Sequence, residues 1–352
     1  MSPIHGGNRN HAVTTIVWVV LIAAGFAYAR QVEWWTMLAV ARQAAPAGLA
    51  LAFALHALAL VAKAGIWWIC LRALATPAFR TVLRITFVGA ALNSLAVANS
   101  GEAGRVLLIS RASGIRTPGA LATVVLEHLI RTGGFVIFIA AAALLTRVSL
   151  PHDRATLAVL AAVAVAIVLL GGRRGRARRR RFIAWRRAPR VARVVRAFLL
   201  RTVASGRRIL TPELLALTAP FTLVVWMCEL GSYHLVARAA QLPLSLTGSL
   251  IALLSVNLGF VLRATPANIG VFELSYAAAA VAQGAPAGAA LAVGMLIHLV
   301  QDVPTIVLGL VLGRPLLRSA PEPITPVLAP VIATAVASGE LPGLPSNGGT
   351  TP

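Results

Sequence analysis

The stretch LNSLAVANSGEAGRVLLISR, Leu92 to Arg111, decides how this chain is read. An apolar run enters it from Leu83 and meets a patch of small and polar residues: Asn99, Ser100, Gly101, Glu102, Ala103, Gly104 and Arg105. A second, weaker apolar run follows. A counterpart lies far downstream in LGFVLRATPANIGVFELS, Leu258 to Ser275, where Arg263, Thr265, Pro266, Asn268, Gly270 and Glu273 interrupt an apolar run. Ionisable groups and helix breakers are costly at membrane depth unless they face a cavity or the protein interior. Two such interruptions in corresponding halves of a chain point to a transporter's binding site.

The composition supports a membrane setting. The 352 residues are 58% hydrophobic and 12% charged, with a mean hydropathy of +0.83. Repeated long apolar runs in such a chain indicate a polytopic helical bundle. The net charge of +22 would fit a nucleic-acid binder were it spread out. Instead, 15 of the 32 basic residues fall between Arg173 and Arg208, between apolar runs, which favours a cytoplasmic loop on an anionic leaflet. Nucleic acid is therefore not an expected partner. Cys70 and Cys228 sit in different apolar runs, so no disulfide framework or metal site is expected, and no cofactor.

Working outward, full spans are expected at about 12–29, 47–71, 120–145, 155–170, 214–236 and 287–312, with interrupted segments at 83–111 and 244–283. The first span is read as an uncleaved helix, because Arg30, Gln31 and Glu33 follow it without a small-residue cleavage site. The span at 120–145 is broken by Glu127, His128 and Arg131. Residues 1–318 then form one transmembrane domain, with a basic loop at 171–210, and residues 319–352 form a disordered tail rich in Pro, Ser, Thr and Gly. Within the loop, RVARVVRAFLLRTV (Arg190 to Val203) reads as an amphipathic helix lying on the membrane surface.

If each interrupted segment is a re-entrant hairpin and the amino terminus is inside, 24 of the 32 basic residues lie inside and 5 outside, with Lys63, Arg131 and Arg263 in the membrane. The basic loop and the carboxy terminus are then cytoplasmic. The expected fold is all-α: six spans and two re-entrant hairpins in an inverted repeat, or alternatively eight spans.

At the hairpins the sequence resembles the flippase-like membrane region of the lysylphosphatidylglycerol synthases, over roughly Leu49 to Leu312. Asn93, Gly101, Glu102 and Arg105 match that family's first turn, without its Pro. Glu127 matches in the next helix, where His128 and Arg131 change the charge pattern. Pro266, Gly270 and Glu273 match the second turn; Pro304 and Gly309 fit the last helix, with His298 near the family's Arg. About 40 residues follow the last span, too few for the family's fused aminoacyl-transferase domain. The resemblance implies lipid handling or translocation in the cell inner membrane, not lipid aminoacylation.

The candidate substrate-binding residues are Glu102, Arg105, Glu127, Arg131, Arg263, Asn268, Glu273 and Asp302. Arg105 has the planar fork that suits a lipid phosphate, and Glu102, three residues earlier, orients it or binds an amine; the bland reading is an ion pair that pins the turn. Asn99 and Ser100 are expected to cap a helix starting at Gly101. Glu127 and Arg131, four apart, read as an ion pair facing the bundle. Arg263, Asn268 and Glu273 flank the Pro266 break, where helix ends expose N–H groups to anions. Asp302 has no basic partner nearby on its own helix and needs one elsewhere, Arg131 or Arg263. His56, His128, His234 and His298 show no metal-ligand spacing, and Lys63 reads as snorkelling to the interface beside Trp67.

The leading functional expectation is a flippase-like protein that moves an anionic lipid headgroup, powered without a nucleotide, since no Gly-rich phosphate loop occurs. The alternatives are an accessory protein presenting lipid to an envelope-synthesis enzyme and, further off, a headgroup-modifying enzyme.

Overall fold

The computed structural model describes residues 34–95, 100–146, 190–260 and 266–318. The spans expected at 12–29 and 155–170, the tail at 319–352, and Asn99, Arg263 and Thr265 lie outside them. The described chain is all helical: α1 (Trp34–Gln43), α2 (Pro46–Arg72), α3 (Phe79–Leu95), α4 (Ser100–Ser113), α5 (Thr117–Thr146), α6 (Arg190–Ile209), α7 (Pro212–Ala239), α8 (Leu246–Gly259), a 3-10 turn at Pro266–Asn268, α9 (Val271–Val281) and α10 (Ala287–Arg318).

Four of these, α2, α5, α7 and α10, are long and apolar enough to cross a bilayer. Their outward faces carry large apolar side chains, among them Leu217, Leu223 and Met227 on α7 and Val303, Val307 and Leu310 on α10. Such surface is unfavourable in water and natural against lipid tails. The starts of α2, α7 and α8 are locally encoded. Pro46 and Pro212 occupy first-turn positions, where a missing N–H costs nothing; Thr211 and Ser245 accept N–H bonds from Leu214 (3.2 Å) and Gly248 (3.0 Å) as caps.

α3 with α4 and α8 with α9 form two antiparallel helical hairpins. In the first, Gly89 packs on Gly101 and Arg105, and Leu92 on Gly104. In the second, Gly259 packs on Val271 and Ser275, and Ser255 donates to the Ser275 carbonyl (2.8 Å). At 17, 14, 14 and 11 residues, the arms are about 16–25 Å long, short of the roughly 30 Å hydrocarbon core.

Each half thus reads span, hairpin, span: α2, α3–α4, α5 and then α7, α8–α9, α10. The two first spans run antiparallel, with Gly48 against Ala239, Leu55 against Gly231 and Gly65 against Phe221, and with Ala45 N–H bonded to the Ala239 carbonyl at 3.0 Å. The halves are therefore inverted relative to each other, and the hairpins enter from opposite ends. Their tips meet, the 3-10 turn packing on α3.

Three expectations change. Glu127, His128 and Arg131 do not break α5, which runs unbroken because all three face polar partners in the interior. Ser100 is not the cap. It lies in the first turn of α4 and donates to the Leu92 carbonyl (3.0 Å), while Asn93 Oδ1 on α3 takes the Gly101 N–H (2.8 Å). Arg105, counted above with the cytoplasmic charges, is 6% exposed and points into the bundle.

Candidate substrate cavity

Where the hairpin tips meet, a cavity of about 540 Å³ opens between α2, α3, α4, α5, α7, α8, α9 and α10. Five of the chain's ten acidic residues gather at it: Glu102, Glu127, Glu229 and Asp302 line it, and Glu273 is bonded to lining His298. Concentrating half the carboxylates of a strongly basic protein in one apolar bundle carries a desolvation cost unless each is paired. All five are paired.

The first cluster belongs to the first hairpin and α5. Arg105 Nη1 lies 3.0 Å from Glu102 Oε2 and 3.1 Å from Glu127 Oε2, and the guanidinium sits 4.1 Å above the Trp67 ring. Arg105 Nε and Nη2 are buried and have no hydrogen-bond partner among the described residues. Glu127, 1% exposed, is also 2.8 Å from Arg131 Nε, close enough for an ion pair but off the line of a hydrogen bond. His128 lies 3.3 Å from Glu127 and 3.6 Å from Glu102. Asn93, besides holding Gly101, donates to Glu102 at 3.3 Å and so ties the turn to the charge cluster.

The second cluster joins three long helices. Glu229 on α7 accepts from Lys63 Nζ on α2 at 2.7 Å, with His56 and Gln301 each at 3.4 Å. Lys63, the chain's single lysine, does not snorkel to the interface. A buried carboxylate on the neighbouring helix supplies a partner that the sequence of α2 does not contain.

The third cluster is on the second hairpin and α10. Gly270, at φ 88°, starts α9 in a backbone conformation that favours glycine, and its N–H bonds Glu273 Oε2 at 2.6 Å. Glu273 Oε1 is 2.7 Å from His298 Nδ1, and His298 Nε2 is 3.1 Å from Asp302 Oδ2. Asp302 therefore does have a partner on its own helix, one turn back, and needs neither Arg131 nor Arg263. Among the described residues no His, Cys, Asp and Glu group has the arrangement to hold a metal ion; Cys70 and Cys228 are buried free thiols.

Of the eight residues singled out from sequence, Glu102, Arg105, Glu127, Arg131, Asn268 and Asp302 line this one cavity. Glu273 reaches it through His298, and Arg263 lies outside the described residues. Sequence reasoning missed His56, Lys63, Glu229, His298 and Gln301. Two signals were present: His56 and Lys63 are seven apart on one helix face, and His298 and Asp302 four apart.

Fold and site together define a polytopic helical membrane protein with a charged cavity between two inverted hairpins. The chain belongs to the family of the lysylphosphatidylglycerol synthase transmembrane region, which matches residues 12–309. No curated protein matches it.

Proposed function

We propose that the protein carries a phosphate-bearing lipid headgroup across the cell inner membrane through this cavity, leaving the lipid covalently unchanged. One observation carries the reading: Arg105 is buried in the cavity wall with two guanidinium nitrogens, Nε and Nη2, that no described residue accepts from. A guanidinium edge with spare donors suits a phosphate oxygen pair, and burial without such a partner is unfavourable. The carboxylates across the cavity suit hydroxyl or amine groups on the same headgroup. A volume of about 540 Å³ admits a headgroup and not two acyl chains, which stay in the bilayer. The basic residues at the end of α6 favour a cytoplasmic side for that loop and the carboxy terminus.

The test is reconstitution into phosphatidylglycerol-containing vesicles with a fluorescent phospholipid, following loss of inner-leaflet protection from added dithionite. Wild-type protein is expected to accelerate exchange, and Arg105→Gln to slow it by about tenfold or more, the cost of one charge-assisted phosphate contact. Wild-type vesicles no faster than protein-free ones sink the reading. If cells tolerate Arg105→Gln but not loss of the α6 basic surface, the accessory role takes its place.

A further inference from the structure

His298 has a carboxylate oxygen at each ring nitrogen, Glu273 at 2.7 Å and Asp302 at 3.1 Å. A neutral imidazole owns one N–H and can donate to only one of them. Satisfying both contacts takes one more proton, on the ring or on a carboxyl group. The ring is held in place by Phe272, stacked at 4.6 Å, and Glu273 by the Gly270 N–H. Asp302 is the partly exposed member and lines the cavity.

We propose that the Glu273–His298–Asp302 triad is a proton-binding site through which one proton crosses with each headgroup. The proposal rests on the translocation reading. Its electrostatics follow from the cavity as a whole. Among the described residues, five carboxylates there face three permanent cations, Lys63, Arg105 and Arg131, so a phosphate entering beside Arg105 adds to an excess of negative charge that a proton on the triad offsets. An anionic headgroup and one proton cross as an electrically neutral pair.

The groups facing the triad are Tyr276 on its own hairpin, Glu229 and Tyr233 on α7, His56 and Lys63 on α2, and Glu102, Arg105, Glu127, His128 and Arg131 across the cavity. Helices α1 and α3, which also pack on α10, bring Arg42, Arg80 and Arg84, none of which lines the cavity. Loss of the proton also has a mechanical target. Glu273 stands in the first turn of α9, so releasing its bond to His298 removes a side-chain link between the tip of the second hairpin and α10. The only bonds that change are N–H or O–H: the proton comes from water on one side and returns to water on the other.

The full chain in vesicles, with fluorescent phospholipid and a trapped pH dye, tests this. With one pH unit imposed, lipid is expected to accumulate down the proton gradient toward a limiting ratio of about tenfold, accompanied by luminal acidification. The ratio of rates with and against the gradient should fall to one in His298→Arg, which keeps a permanent charge and donors for both carboxylates, and persist in His128→Gln. Asp302→Asn, at the more exposed end of the triad, should also abolish it and serves if His298→Arg fails to fold. Wild-type translocation that ignores the gradient overturns the coupling and leaves the transport reading standing. A gradient response retained in His298→Arg or Asp302→Asn overturns the assignment to the triad. No translocation at any pH overturns both.

Discussion

Glu127 holds the first cluster together. It is 1% exposed and faces Arg105, Arg131 and His128, so removing its charge leaves the buried Arg105 and the half-buried Arg131 with Glu102 as the remaining carboxylate. Breaking a buried pair by deleting one partner typically costs about 3–5 kcal/mol. Glu127→Gln is therefore expected to lower the melting temperature of the detergent-solubilised protein markedly, whereas Glu102→Gln, whose side chain is 18% exposed, is expected to lower it less. Equal melting curves for the two variants would remove Glu127 from its central place. Backbone contact sets a second residue-scale constraint. A Cβ on Gly101 would collide with the Gly89 carbonyl and Asn93, so Gly101→Ala forces the α3–α4 hairpin apart, at about 1–3 kcal/mol by the usual cost of overpacking. The Glu102–Arg105 and Glu127–Arg131 pairs were legible in the sequence because helical spacing puts both partners on one face. The Lys63–Glu229 pair was not, because its partners are 166 residues apart and only packing of α2 on α7 joins them.

At the scale of elements, the hairpins were visible as interrupted apolar runs, since ionisable residues and helix breakers at membrane depth are costly unless they build a turn or face a cavity. What the runs could not reveal was how the turns are held. Asn93, on the arm before the break, caps the arm after it, and Glu273 bonds back to Gly270; both are side-chain choices that composition does not mark. Helix α6 follows from its pattern more directly. Thr202, Gly206 and Ile209 form its buried face, and the helix packs on α5. Leu199, Leu200 and Val203 are exposed on another side with Arg201 beside them. An apolar strip flanked by arginines lies in a bilayer interface with its apolar side turned to the acyl chains. An environment-sensitive dye on Leu200→Cys, in Cys70→Ala, Cys228→Ala protein in anionic nanodiscs, is expected to be quenched by lipids spin-labelled near the headgroup. A spectrum like that of free dye in water would place α6 off the membrane.

For the whole molecule, the antiparallel packing of α2 on α7 and the common order span, hairpin, span make the two halves inverted. Inversion is what lets the tips of the two hairpins meet from opposite ends of the bundle, and the meeting point is the charged cavity. Basic-residue counting alone leaves eight full spans with the opposite amino-terminal orientation equally consistent, because counting senses loops and not the depth of a turn. The hairpin ends away from the tips report the inversion, and the tips separate the two arrangements. Ala112, at the end of α4, and Ala287, at the start of α10, are both exposed. In a cysteine-free background, Ala112→Cys should react with a membrane-impermeant maleimide from the face that α2 reaches with its carboxy-terminal end, and Ala287→Cys only from the opposite face. A pair of full crossings in each hairpin gives the same sidedness at these two sites, so the tips decide. Ser94→Cys and Asn268→Cys line one cavity, and re-entrant hairpins leave both tips within the membrane. Full crossings instead carry each tip to an aqueous surface, where labelling is as fast as at Ala112 and Ala287. Slow labelling at both tips, blocked by an added phospholipid headgroup analogue such as glycerol phosphate, is the expected result; fast, unprotected labelling at either tip excludes the half-length hairpin there and, with it, a substrate site between the two.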